Sequence, residues 1–226
     1  MGLDYSIRTY VKKEKISNSL NWLFENSWSN EKVPQKLLIN GELFNINGDY
    51  FKIDDYQNKY LERNKIIEHF QKIYFTTSLV FEIEPKIIAS LPGWELEYRM
   101  DLLEDFKERF EQVYLGDGKI RIGGFDSTIS KLTEQDVYEI DLTALTSDMS
   151  RLIEDSISVK KWILEFSRAS DSLLTYLDLE HNGRRLVFYN GKEIDCTIKE
   201  GFDVDSYESV KNILNDYFTL EFNKKI

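Results

Sequence analysis

The segment LEHNGRRLVF, residues 179–188, contains the side chains that most resemble those of a catalytic loop. His181 is one of two histidines in the chain, and Arg184 and Arg185 follow it closely. A histidine can act as a general base, and an arginine can stabilise an oxyanion or bind a phosphate group. A catalytic histidine also needs an orienting partner and a nearby nucleophile, and the sequence shows no recognisable set of the three.

A β-hairpin explains the same segment without any chemistry. The dipeptide Asn182-Gly183 favours the positive φ angles of a type I′ turn, which joins two antiparallel strands. We therefore predict that this segment is a hairpin tip and that His181 is not essential. The predicted cross-strand pairs are His181–Arg184, Glu180–Arg185, Leu179–Leu186 and Leu177–Phe188.

Metal and phosphate motifs are incomplete. Two histidines and one cysteine cannot form a Cys/His zinc site within one chain. The segment DVDSYESVKNIL starts like a calcium loop at Asp203, but it has Glu208 at the glycine position and Leu214 at the final glutamate position. We expect this segment to start a helix capped by Asp205, and we expect no metal ion and no cofactor. A carboxylate-rich site for magnesium or calcium is the alternative.

The segment GDGKIRIGG, residues 116–124, has the glycines of a phosphate-binding loop and a lysine, Lys119. Ile120 follows that lysine, where a phosphate loop has serine or threonine. We therefore predict a turn at Asp117-Gly118 and a β-bulge at Gly123-Gly124.

An acidic helix is the feature that most favours a function. The segment MDLLEDFKERFEQ places Glu104, Glu108 and Glu111 at helical spacing, on one side of a helix predicted over 100–114. Such charge runs are often only a solvated face, and the alternative is a docking surface for a basic protein. Trp94, Tyr98 and Tyr114 flank the run as candidate anchors. The predicted partner-binding residues are Asp101, Glu104, Glu108, Glu111, Trp94 and Tyr98.

Charge and composition restrict the function further. The net charge is −11, which disfavours binding to nucleic acid or to an anionic membrane surface. The charge either serves solubility or attracts a basic partner. The single cysteine, Cys196, fits a reducing compartment, and no secretory signal or membrane span is recognisable. We expect a cytoplasmic protein.

Hydrophobic periodicity predicts alternating strands and helices in the first half of the chain. We expect a strand over 5–11, a helix over 13–27 and a helix over 66–74. Asn-Gly dipeptides at 40–41 and 47–48 predict two hairpins, in which Leu38 pairs with Leu43 and Phe44 with Phe51. Alternation of apolar residues continues in a strand near 79–83, followed by a short helix that begins at Pro85.

The second half repeats the order of the first. A strand at VYEIDLTAL is followed by a helix over 157–170 and by Asn-Gly dipeptides at 182–183 and 190–191. This order predicts a duplicated strand–helix–hairpin unit, 5–53 and 140–195. The fold class that follows is α+β in a single domain, 1–226, with a largely antiparallel sheet and helices mainly on one face.

The opening GLDYSIRTYV and the helix after it resemble the start of a group of uncharacterised bacterial proteins. The resemblance covers about the first twenty-five residues and the Trp162 helix with its hairpin, and it implies no activity. The sequence therefore favours a protein-binding module, similar to immunity proteins or inhibitors, that acts through its acidic surface. The alternative is a hydrolase or transferase that uses carboxylates, with Asp126, Asp141 and Asp178 as candidates.

Overall fold

The computed structural model describes residues 3–28, 35–53, 66–90, 103–132 and 136–198. In the first half, the elements are β1 (Ser6–Lys12), a 3-10 turn (Lys13–Lys15), α1 (Ile16–Glu25), β2 (Ser27–Trp28), β3 (Gln35–Ile39), β4 (Glu42–Ile46), β5 (Asp49–Ile53), β6 (Ile66–Ile67), β7 (Lys72–Glu82) and α2 (Pro85–Ser90). In the second half, they are α3 (Leu103–Val113), β8 (Tyr114–Gly116), β9 (Lys119–Leu132), β10 (Val137–Ala144), α4 (Ser147–Asp155), α5 (Ile157–Ala169), β11 (Leu174–Asp178), β12 (Arg184–Tyr189) and β13 (Lys192–Ile198).

The described strands form one large sheet and one small sheet. The order in the large sheet is β13-β12-β11-β1-β10-β9-β7-β2, with β5 also paired to β7 and β8 to β9. Each of these pairings is antiparallel, as the tight turns in the sequence predict. The small sheet has the order β4-β3-β6, and β6 lies parallel to β3. The predicted α+β fold with a largely antiparallel sheet is confirmed.

The helices α1, α4 and α5 cover one face of the large sheet. Their apolar side chains join the buried cluster that contains Ile7 of β1, Ile140 of β10 and Leu177 of β11. The hydroxyl of Thr146 accepts a hydrogen bond from the Met149 amide at the start of α4. Ser156 and the Val159 amide form the equivalent cap of α5, so the two helices start at defined residues.

The opposite face of the large sheet has its own buried cluster near β1, β11 and β12. Tyr10 and Tyr176 lie side by side there, with stacked rings whose centroids are 6.1 Å apart. Leu186 of β12 and Cys196 of β13 belong to the same cluster. The charged side chains discussed below lie on this second face.

The helix predicted over 66–74 is wrong. Ile66–Ile67 form β6, and Lys72–Glu82 form one long strand, β7. In β7 every second side chain from Ile73 to Phe81 is buried, which is the period of a strand half-covered by a core. The spacing of isoleucines and aromatic residues in this segment fits both the helical period and the strand period. The pairing of β7 with β9 stabilises the strand.

Two Asn-Gly hairpins form as predicted. At Asn40 and Gly41 the φ angles are 52° and 81°, and Leu38 pairs with Leu43. At Asn190 and Gly191 they are 45° and 81°. The predicted bulge at Gly123-Gly124 is also present, because the register of β7 and β9 shifts there and Gly124 has a φ of 87°.

The hairpin predicted at Asn47-Gly48 does not form. β4 belongs to the small sheet and β5 to the large sheet, so Phe44 and Phe51 are not cross-strand partners. The Asn47 side-chain amide donates to the Phe24 carbonyl at 2.7 Å, and the Asn47 carbonyl accepts from the Thr77 hydroxyl. These long-range bonds hold the chain where it crosses between sheets, and they replace the local turn.

The two units of the predicted duplication share the order strand, helix, hairpin. In 5–53 the hairpin β3–β4 lies in the small sheet, whereas in 140–195 the hairpin β12–β13 extends the large sheet. The duplication stays a prediction.

The helix predicted from Asp205 lies outside the described residues. Within the described ranges, no helix has both the length and the apolar character needed to cross a membrane.

Candidate functional site

The acidic helix predicted from the sequence is α3. Trp94, Tyr98 and Asp101 lie outside the described residues, and Glu104 lies in the first turn of the helix. Glu108 and Glu111 are exposed. Lys107 and Arg109 are exposed beside them, so two positive charges balance the two glutamates among the described side chains of α3.

Exposed apolar side chains follow these glutamates directly. Tyr114 and Leu115 of β8 are 43% and 42% exposed. The Tyr114 ring stacks on Phe110 of α3, with the ring centroids 5.4 Å apart, so its orientation is fixed. We call Glu108, Glu111, Tyr114 and Leu115 the α3–β8 surface. It combines two exposed carboxylates with apolar side chains that a partner could cover.

The end of α3 is attached to the large sheet by Arg121 of β9. Its guanidinium donates through Nη2 and Nε to the Gln112 carbonyl, at 2.9 and 3.2 Å. The guanidinium carbon also lies 3.5 Å from the centroid of the Trp28 ring. This cation–π contact and the paired hydrogen bonds hold the α3–β8 surface on a rigid strand.

The hairpin register predicted around His181 is wrong. β11 ends at Asp178, and five residues separate it from β12, because Glu180–Asn182 form a 3-10 turn. The Asn182 side-chain amide donates to the Tyr5 hydroxyl at 2.8 Å. Asn182 therefore attaches the N-terminal strand to this loop instead of forming a two-residue turn, and Arg184 pairs with Asp178.

The predicted partners in this segment are consequently different. Glu180 does not pair with Arg185, since its carboxylate accepts a hydrogen bond from the Asp4 amide. Arg185 forms two hydrogen bonds with Asp195, at 2.9 and 2.8 Å. His181 is exposed at the loop tip. That His181 is not essential stays a prediction, and the geometry of the loop is not that of a type I′ hairpin.

Four charged residues meet on the second face of the large sheet. The Arg8 guanidinium lies between two carboxylates, with Nε 3.2 Å from Asp141 Oδ2 and Nη2 3.4 Å from Asp178 Oδ2. Nε of Arg184 is 4.0 Å from the same Asp178 oxygen. We call Arg8, Asp141, Asp178 and Arg184 the arginine–aspartate cluster. It forms because β1 lies between β10 and β11, which places both aspartates beside Arg8.

Burial within the cluster is uneven. The side chain of Arg184 is 1% exposed and that of Asp178 is 6% exposed. The side chains of Arg8 and Asp141 are 25% and 15% exposed, so solvent reaches this side of the cluster. A charge buried this deeply is stable only beside an opposite charge, which explains the alternation of arginine and aspartate.

Asp141 differs from an ordinary surface carboxylate. Burial raises its pKa to about 6, although the Arg8 guanidinium and a hydrogen bond from Thr143 oppose that change. The Thr143 hydroxyl donates to Asp141 Oδ1 at 3.0 Å. A carboxyl group that titrates near neutral pH can give or take a proton, but buried structural ion pairs show the same kind of shift.

Of the three aspartates singled out by the sequence, the structure brings two together. Asp141 and Asp178 share Arg8, whereas Asp126 is exposed and accepts a hydrogen bond from Thr76 at 3.1 Å. Sequence reasoning missed Arg8, and it placed Arg184 opposite His181 instead of Asp178. Arg8 stands on the polar side of the alternation in β1, and only the pairing of β1 with two distant strands shows its role.

Metal ligands are not grouped in the part of the chain described by the structure. No set of three or more His, Cys, Asp and Glu side chains there could hold a metal ion.

No protein-family model matches the sequence, and no curated protein or solved structure is significantly similar to it.

Proposed function

We propose that this protein is a binding module that captures a basic protein through the α3–β8 surface. The observation that carries the proposal is the position of Tyr114 and Leu115, both more than two-fifths exposed, immediately after the exposed Glu108 and Glu111. Apolar side chains supply binding energy when a partner covers them, and charges beside them increase the encounter rate.

The charge of the whole chain supports a basic partner. With a net charge of −11, the molecule attracts a positively charged protein over roughly one Debye length, about 8 Å at physiological salt. An inhibitor of the immunity type would use this attraction to mask the basic active surface of its target. A reducing compartment such as the cytoplasm suits the single, buried Cys196 thiol.

The test is affinity capture of partners from the source organism by two variants with matched charge. Glu108→Lys/Glu111→Lys changes the α3–β8 surface. Glu25→Lys/Glu42→Lys changes two exposed glutamates that have no ion pair among the described residues. Each pair raises the net charge by four, because each substitution replaces −1 with +1. Circular dichroism of both variants verifies that the fold is retained.

We expect the first variant to lose a basic partner that the wild type and the second variant retain at about 50 mM salt. The affinity for the purified partner should then fall at least about tenfold on Tyr114→Ala, as at an interface anchor. Equal retention of the partner by both charge variants would show that the α3–β8 surface is not the binding site.

A second function has support from the arginine–aspartate cluster. A hydrolase or transferase could use Asp141 as its general acid or base, because this carboxyl group has a pKa of about 6 and remains partly accessible. Arg8, at 3.2 Å from Asp141, would orient the group and stabilise developing negative charge.

This second function predicts a particular pH dependence. Turnover of an ester, glycoside or phosphate-ester substrate by the wild type should show an inflection near pH 6, and Asp141→Asn should remove it. Asp126→Asn is the control, since Asp126 lies outside the cluster. The absence of turnover in all three substrate classes would leave the binding module as the function.

A further inference from the structure

A cavity lies between α5 and the strands β11, β12 and β13, away from both the α3–β8 surface and the arginine–aspartate cluster. Its volume is about 150 Å3. Ile163 and Leu177 at its base are buried, whereas Leu164, Val187 and Ile194 are half-buried, so the cavity opens to solvent. We call it the α5 pocket.

The size and lining of the α5 pocket fit a small apolar group. A cavity of about this volume with aliphatic walls accommodates one aromatic ring or a branched alkyl chain. The five aliphatic side chains provide no hydrogen-bonding atoms, so water in the pocket is held weakly and is readily displaced.

Charged side chains at the rim are paired with one exception. Arg185 binds Asp195 through two hydrogen bonds, and Glu193 forms an ion pair with Arg168. The carboxylate of Glu154 in α4 also attracts the Arg185 guanidinium electrostatically. Lys160 lines the pocket, yet no carboxylate of the described residues lies within ion-pair distance of its ammonium group.

Lys160 and Asp195 interact at longer range. The ammonium group contributes to the lowered pKa of Asp195, after the larger effect of the Arg185 hydrogen bonds. Arg185 occupies one acceptor position on each carboxylate oxygen of Asp195. The Lys160 ammonium group makes no hydrogen bond or ion pair with another described residue, so its three donors remain available to a ligand.

We propose that the α5 pocket binds a small monocarboxylate whose tail is one aromatic ring or a branched alkyl chain. The tail would fill the space between Ile163, Leu177 and Val187, and the carboxylate would accept hydrogen bonds from Lys160. The site is independent of the proposed protein-binding function, because it shares no residue with the α3–β8 surface.

The test is a titration of the full chain with 3-phenylpropionate, followed by two-dimensional amide NMR, with 3-phenylpropionamide as the uncharged analogue. We expect shifts confined to α5, β12 and β13, with a dissociation constant on the order of 1 mM, as for other ligands of this size. The amide analogue should bind two- to fivefold more weakly, the range of one exposed ion pair.

Variants distinguish the two parts of the ligand. Lys160→Met should lower the affinity for the acid to that for the amide. Lys161→Met is the matched control, because Lys161 bonds Glu82 and does not line the pocket, and it should bind the acid like the wild type. Ile194→Trp should fill the pocket and prevent binding of both compounds.

Three results would overturn the proposal. Shifts that are absent at about 10 mM acid, or spread over the whole sheet, would mean that the pocket is not a ligand site. If the acid and the amide bind with equal affinity, and Lys160→Met changes neither affinity, the pocket does not recognise the carboxylate. A peptide ending in leucine that binds at least about tenfold more tightly would assign the pocket to a chain terminus instead of a free acid.

Discussion

At the scale of single residues, Asp141 has a charge state that is sensitive to pH near neutrality. The carboxyl group is largely buried beside Arg8, and burial raises its pKa to about 6 from an ordinary value of 3.8. Between these two pH values the folded protein holds a proton on Asp141 that the unfolded chain releases. The contribution of Asp141 to the free energy of unfolding therefore falls as pH rises through this window.

Replacement of Asp141 by asparagine should remove this dependence. The free energy of unfolding of the wild type, relative to Asp141→Asn, should fall by about 2 kcal/mol between pH 4 and pH 7, since one pKa unit corresponds to about 1.4 kcal/mol and part of the change lies outside this window. Urea unfolding at several pH values measures the difference. Parallel profiles for the two proteins would contradict the assignment.

Asp195→Asn serves as a control of opposite sign. The Arg185 hydrogen bonds lower the pKa of Asp195, so this carboxylate stabilises the fold at neutral pH and loses that effect as pH falls. The free energy of unfolding of the wild type, relative to Asp195→Asn, should therefore rise as the pH rises from acid values. The comparison with Asp141→Asn should show the opposite trend.

We predict that His181 is not essential. It is exposed at the tip of the 179–183 loop, and the structural bonds of that loop come from Glu180 and Asn182. His181→Asn should change the free energy of unfolding by less than about 0.5 kcal/mol, as most exposed substitutions do. Loss of a measured activity by this variant, with the fold intact, would restore His181 as a catalytic candidate.

At the scale of elements, the same dipeptide adopts three different structures in this chain. Asn40-Gly41 forms a tight hairpin, Asn47-Gly48 crosses between two sheets, and Asn182-Gly183 ends a 3-10 turn. The hairpin at Asn40-Gly41 could be predicted because it depends only on the dipeptide and the strands on either side of it. The other two depend on partners far along the chain, such as Thr77 and Tyr5, which local sequence does not show.

The crossing at Gly48 gives a direct test of that account. A β-carbon on Gly48 would lie 2.7 Å from Phe75 Cδ2 and 3.1 Å from the Thr76 carbonyl oxygen, so the crossing segment would have to move away from β7. Gly48→Ala should lower the free energy of unfolding by about 1–3 kcal/mol, the usual effect of overpacking. Thermal and urea unfolding measure this change.

Gly123→Ala is the matched control for Gly48→Ala. A β-carbon at Gly123 would meet only the Ser78 hydroxyl oxygen, at 3.2 Å, and a side-chain hydroxyl can rotate away. We expect a smaller loss of stability than for Gly48→Ala. An equal loss in the two variants would mean that the close approach at Gly48 does not determine where the chain crosses.

At the scale of the whole molecule, the sequence predicted the fold class better than it predicted the site. Alternating residues in β10 and the helical stripe of α5 are local patterns, and both elements form as expected. The arginine–aspartate cluster depends on the position of β1 between β10 and β11, which is a long-range property. α4 was missed because its short apolar stripe lies directly before α5.

The central claim is that the α3–β8 surface binds a basic protein. Site-specific photocross-linking tests it most directly, with p-benzoylphenylalanine in place of Tyr114 and, as the control, in place of Tyr50, which is 70% exposed on β5. In cells of the source organism, the probe at position 114 should cross-link one basic protein, and Glu108→Lys/Glu111→Lys should remove that product. Equal cross-linking from both positions, or no product from position 114, would contradict the claim.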